Sequence, residues 1–194
     1  HLQRNINAGQ LFGLENIYDH YLSEGAADRM CAYLKERWEK PGSRYHVMKE
    51  MFACLHKLEV LSADWPKKVR HYEKVLFGGG RKQYEALHQY RMPDKIAEQL
   101  LSYFIYVYFA GAVYDGMPYS KVKLAVISTM LIEDMVCAKA AEKGQLSFEA
   151  IADAAHSYAR EVEHSDLNLQ RLSIMFRHRK CFHIGRLCGA LLEW

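Results

Sequence analysis

A chain of 194 residues, half of them apolar and a quarter charged, is long enough for one sizeable core and too rich in core-forming side chains for disorder. A net charge of +3 supplies no basic field of the kind that nucleic-acid binding uses. Five scattered cysteines (Cys31, Cys54, Cys137, Cys181, Cys188) include no C-x-x-C pair, which argues against a secreted disulfide framework and for a reduced, cytoplasmic setting.

Apolar periodicity and punctuation predict an all-α chain, with helices over 10–22, 26–39, 44–61, 66–77, 81–90, 94–114, 119–141, 147–164, 166–179 and 181–192. Pro41, Pro66, Pro93 and Pro118 fall where the periodicity stops or restarts, at a first helical turn or just outside one. Gly78-Gly79-Gly80 is a break, and neither a strand before it nor a G-x-G spacing makes it a cofactor loop. The run 103–109 has the aromatic and β-branched composition of a strand, but helical context on both sides favours helix. Helices 94–114 and 119–141 are apolar almost all round, which predicts an irregular multi-helix bundle with two central apolar helices. Helix 147–164 sorts into an apolar stripe (Ile151, Ala155, Tyr158, Val162) and a polar face (Asp153, His156, Arg160, Glu163). Ser147 and Ser165 are expected as N-caps, each with an acidic residue in the turn that follows.

The expected organisation is one helical domain over 1–194, with outer helices in 1–92, a core in 93–172 and a basic tail in 173–194. No uninterrupted apolar run reaches the roughly 20 residues of a membrane span, since Gly111, Asp115, Ser128 and Thr129 interrupt the longest. No membrane or nucleic-acid partner is therefore expected. The basic run Arg177-His178-Arg179-Lys180 reads as a solvated face, because no aromatics interleave with it.

Four stretches resemble the C-terminal region of flagellin lysine-N-methylases: 103–109, Ala112-Val113-Tyr114-Asp115-Gly116, 121–128, and Arg160-Glu161-Val162-Glu163-His164-Ser165-Asp166-Leu167-Asn168-Leu169. The likeness runs from about Ile96 to Leu172, and the last stretch carries most of it, because its charged residues sit at fixed places. The resemblance implies methyl transfer from S-adenosylmethionine to lysines of flagellin. It also implies an iron–sulfur cluster held by cysteines of an N-terminal part, with ligands not in this chain. Together with the start at His1, that leads to the expectation of a piece of a longer protein, inactive on its own.

Lysine methylation needs a neutral amine, which apolar walls and a nearby carboxylate favour. Tyr103, Tyr106 and Tyr114 are the substrate-binding candidates, with Tyr108 beside them; Glu133 and Asp115 are candidate carboxylates. Glu161, Arg160, His164 and Tyr158 complete the catalytic candidates. Each has a plainer reading. Tyrosines on a buried helix are usually core, and Glu161 beside an apolar stripe is more often a structural ion pair. No metal site is expected: Glu85-x-x-His88 and Glu161-x-x-His164 are spacings that chance supplies, and His178, Cys181, His183 and Cys188 lack a converging geometry. The rival function is a non-catalytic helical interaction domain, recognisable by a large exposed apolar face.

Overall fold

The computed structural model describes residues 2–10, 14–38 and 43–193. In chain order the α-helices are α1 (Leu2–Asn7), α2 (Leu14–Leu22), α3 (Ala26–Trp38), α4 (Ser43–Leu55), α5 (Trp65–Phe77), α6 (Gly80–Leu87), α7 (Asp94–Tyr108), α8 (Ala112–Asp115), α9 (Pro118–Lys143), α10 (Phe148–Val162), α11 (Asp166–His178) and α12 (Ile184–Leu192). Short 3₁₀ turns occupy His88–Tyr90, Phe109–Gly111 and Lys180–Phe182. The fold is all-α, and the run 103–109 is helix up to Tyr108.

Helix α9 is the axis. Pro118 starts it without needing a backbone donor, and Gly144, at φ +71°, ends it in the left-handed conformation that glycine adopts without strain. From Leu124 to Ala138 nearly every side chain is buried, because α4, α5, α6, α7, α10 and α11 all pack on it. A helix covered on every side has no polar face to keep, which explains its even apolarity.

The second expected central helix is not central. Helix α7 lies along α9 and packs Ile96, Ala97, Leu100 and Leu101 against the core, yet Phe104 is its one fully buried side chain. Its far face leaves Tyr106 87 % exposed, with Tyr103, Ile105 and Val107 beside it. Apolar composition all round therefore marked a covered helix once and a half-open one once. The 22-residue stretch Asp94–Asp115 is also long and apolar enough to cross a membrane, contrary to the expectation that no segment qualifies. It is broken by the 3₁₀ turn at Phe109–Gly111 and is packed along α9 in the bundle.

The N-terminal half does more than cover the core. Val47, Met48, Met51 and Phe52 of α4, Trp65, Val69, Tyr72 and Leu76 of α5, and Tyr84 of α6 are buried in it. The outer layer is α1 and α3, which bury no side chain among the described residues, with α12 packed between α3 and α4. The predicted helix 44–61 stops at Leu55, and residues 56–64 form the connection to α5. Gly80 stands at φ +78° where α5 turns back into α6, so the glycine run is a tight helix–helix corner.

On this packing, Ile127→Ala should lower unfolding free energy by about 2–5 kcal/mol, as large-to-small core changes do. Tyr106→Ala should change it by less than ~0.5 kcal/mol. Chemical denaturation of both variants checks the contrast; similar losses at the two positions would place α7 in the core after all.

Candidate functional site

Two consecutive acidic residues on the buried helix α9, Glu133 and Asp134, are a cost that needs a cation. The cation comes from the first turn of α4. Arg44 is 1 % exposed, and its Nη2 donates to Glu133 Oε2 at 3.2 Å and to Asp134 Oδ1 at 3.1 Å. The Tyr84 hydroxyl donates to the other Asp134 oxygen at 2.9 Å. The Arg44 backbone N–H in turn donates to Glu193 at 2.6 Å, placing a carboxylate at the positive end of α4 and tying down the C-terminal segment.

The two carboxylates differ. Asp134 is fully enclosed; burial pushes it up, while Arg44 and the Tyr84 hydroxyl pull it back. Glu133 is pushed up to about 7, by burial first, with Arg44 opposing and the neighbouring Asp134 adding to the rise. A carboxyl that changes charge near neutral pH can hold a cation or take a proton.

Glu133 also lines a pocket of about 390 Å³ between α7 and α9. Ala97, Leu101, Val126 and Met130 are its apolar walls, and Leu191 of α12 stands at its edge. Arg44, Arg91, Asp94 and Glu98 add the charged lining, with Arg91 and Asp94 3.3 Å apart.

The remaining sequence candidates do not gather here. Tyr103 and Tyr108 both donate to Glu163 Oε2, at 2.9 and 3.0 Å, and so pin α7 to the end of α10. Tyr106 and Tyr114 point to solvent, and neither walls a cavity with Glu133. Asp115 pairs with Lys121 at 2.7 Å and accepts from the Met117 N–H. Tyr158 is fully buried on α10, its hydroxyl 2.8 Å from that of Ser128.

The stretch Arg160–Asn168 forms a corner that grips the connection 56–64. Glu161 is fully buried and accepts from the Leu61 N–H at 3.0 Å; its other oxygen lies 3.8 Å from Arg160 Nε. Arg160 donates to Ser62 at 2.9 Å, and His164 is exposed. Ser165 caps α11 by accepting from the Asn168 N–H at 3.1 Å, and its own hydroxyl donates to Glu59 at 3.0 Å. Asn168 makes both bonds of a backbone partner to Glu59, accepting from its N–H at 2.6 Å and donating to its carbonyl at 2.9 Å. Its amide donates as well to the Glu161 carbonyl at 2.7 Å. The arrangement is that of a structural clamp, in which Glu161 serves a loop amide.

Arg44, Asp134 and the Asn168 bracket were not among the sequence candidates. Periodicity could have flagged Asp134, an acidic residue inside an unbroken apolar helix; nothing local marks Arg44 as the partner 90 residues away.

The family model for the FliB lysine N-methylase C-terminal domain matches residues 1–190. The chain belongs to this family. The match extends the likeness read over 96–172 to nearly the whole chain; apart from Leu191 at the pocket and Glu193 on the Arg44 N–H, the residues of the pocket, the ion cluster and the clamp lie within the matched span. No curated protein and no solved structure matches the chain. The iron–sulfur cluster that the resemblance implies has no ligand set among the described residues. No group of three or more His, Cys, Asp or Glu converges there on a point where an iron–sulfur centre could be held. Cys54 and Cys181 share a hydrogen bond that lowers the Cys54 thiol to about 7, but they are a pair and not a cluster. The pocket at Glu133 has no aromatic ring in its lining on which an adenine could stack.

Two measurements check these assignments. Since Glu133 in the folded chain stays protonated up to about pH 7 while in the unfolded chain it ionises near the ordinary carboxyl value of 4.5, the folded state binds more protons between these values. Stability should therefore fall as pH rises through that window, by about 3 kcal/mol in all, and Glu133→Gln should remove that slope from pH-dependent denaturation curves. Parallel curves would mean that Glu133 ionises normally. Asn168→Ala should cost about 2–4 kcal/mol by leaving buried amides unpaired, and should speed hydrogen exchange at the Glu59 N–H more than at Ile127.

Proposed function

We propose that this chain works as the C-terminal domain of an S-adenosylmethionine-dependent enzyme that methylates surface lysines of flagellin, and that it contributes the binding of the protein substrate. The family match over 1–190 carries the reading. The pocket supports it, because a carboxyl poised near neutrality in the lining of an apolar-walled recess suits the handling of an amine. The methyl donor and an iron–sulfur centre belong to this proposal as cofactors of the full-length enzyme, bound outside the described residues, in a cytoplasmic setting where flagellin is made and held before export.

A second reading rests on a separate observation. The outer face of α7 and α8 exposes Tyr106, Val113 and Tyr114, each more than four-fifths accessible, and a face of that kind suits a protein contact. In this reading the domain is a non-catalytic helical interaction module.

Incubating the full-length protein with flagellin and methyl-labelled S-adenosylmethionine separates the two. The methylase reading expects labelled N-methyl-lysine in flagellin by mass spectrometry, and loss of the label when the domain is deleted. Methylation that survives the deletion undiminished would leave only the interaction role.

A further inference from the structure

The charges around Glu133 are arranged in a way that selects a ligand. The walls of the pocket are aliphatic: Ala97 and Leu101 on one side, Val126 and Met130 on the other. Glu133 adds a carboxylate to the lining. Arg44 serves two carboxylates with one guanidinium, and Asp134 also holds the Tyr84 hydroxyl. Arg91 has Asp94 at 3.3 Å. Glu133 shares the Arg44 guanidinium with Asp134 and lies within the field of Arg91, and Glu98 adds a further negative charge at the exposed rim. An entering anion would meet Arg44 and Arg91 already engaged by carboxylates, and three acids, Glu133, Asp94 and Glu98, against those two cations. An entering cation would give Glu133 the second partner that Arg44, shared with Asp134, does not supply.

We propose that this pocket binds an alkylammonium group, the side chain of a lysine presented by a protein substrate, with its methylene stem between α7 and α9 and its nitrogen on Glu133. The identity of the presenting protein rests on the methylase reading; the binding of the lysine side chain does not. The stem suits the walls, since methylenes gain by leaving water. The volume, about 390 Å³, lies in the range of ligand pockets. On Glu133 a proton can pass from the ammonium nitrogen to a carboxylate oxygen. One N–H bond breaks and one O–H bond forms, leaving a neutral amine beside a neutral carboxyl. Burial favours that neutral pair, and Arg44 at 3.2 Å opposes it.

Calorimetric titration of this chain with Nα-acetyl-lysine N-methylamide tests the assignment, with Nα-acetyl-norleucine N-methylamide as the uncharged counterpart. The lysine probe should bind, and the norleucine probe should bind at least about tenfold more weakly. Glu133→Gln should weaken the lysine probe by a similar factor. Should that variant fail to fold by circular dichroism, Ala97→Trp decides: it fills the recess without touching the carboxylate and should abolish binding. Equal affinity for the two probes, unchanged affinity in both variants, or no binding of the lysine probe to the folded chain would each overturn the proposal. So would displacement of the lysine probe by S-adenosylhomocysteine, which would make the recess a donor site. The same variants in the full-length protein keep the two readings apart. A wild-type enzyme that methylates flagellin while Glu133→Gln leaves its KM and kcat intact would refute the pocket and spare the methylase reading. Lysine binding without any methyl transfer by the wild type would do the reverse.

Discussion

The structure depends on one buried cation. Arg44 enters the core from the first turn of α4 and meets two adjacent carboxylates of the most enclosed helix in the molecule. Removing either side would strand charge in a medium that cannot solvate it, so α4 and α9 are fixed in register by electrostatics as well as by packing. The Tyr84 hydroxyl brings α6 to the same point, and Glu193 brings the C-terminal segment to the backbone of Arg44. Four distant parts of the chain thus agree on one place. The pocket follows from it, because the cluster uses up Asp134 and leaves Glu133 facing the gap beneath α7.

Helix α7 has two roles that its composition blurs. Its inner face closes the recess over Glu133, and its outer face presents Tyr106 and its neighbours to solvent. The hydroxyls of Tyr103 and Tyr108, both on Glu163, set which face is which. They are the polar anchor of a helix that is otherwise held by apolar contacts along one side.

How much of this was legible in the sequence varied with the range of the interaction. Helix positions came through well, since capping and proline punctuation act within a turn or two; Ser147, Ser165, Pro118 and Gly144 all stand where local rules put them. Helix α1 was not foreseen, and the predicted helix 44–61 ran past Leu55, where the connection bends to meet the corner at Asn168. Burial was legible only in part. An apolar helix tells that it has apolar surface, not how many neighbours will cover it, and so α9 and α7 looked alike. The candidate residues were scattered by the same limit. Glu133 stood out because a carboxylate in an apolar helix is a local anomaly, whereas Arg44 opens a helix of mixed polar and apolar residues and gains its meaning from residues 89 and 90 positions away. The tyrosines of α7 were grouped by spacing alone, and spacing does not say which side of a helix the fold leaves open.

The bracket that Asn168 places around Glu59 bears on how the chain is made. The connection 56–64 has no regular helix of its own for most of its length, and the side chains that hold it come from about a hundred residues later. During synthesis the first five helices emerge with this loop still unclaimed, and the side-chain bonds that hold it form only once α10 and α11 have left the ribosome. Contacts so distant in sequence carry a loop-closure cost before they return anything, which makes docking of the C-terminal corner a late step. A nascent chain arrested before α11 would expose the Arg44 helix and its apolar neighbours together, and that is the species a chaperone would meet.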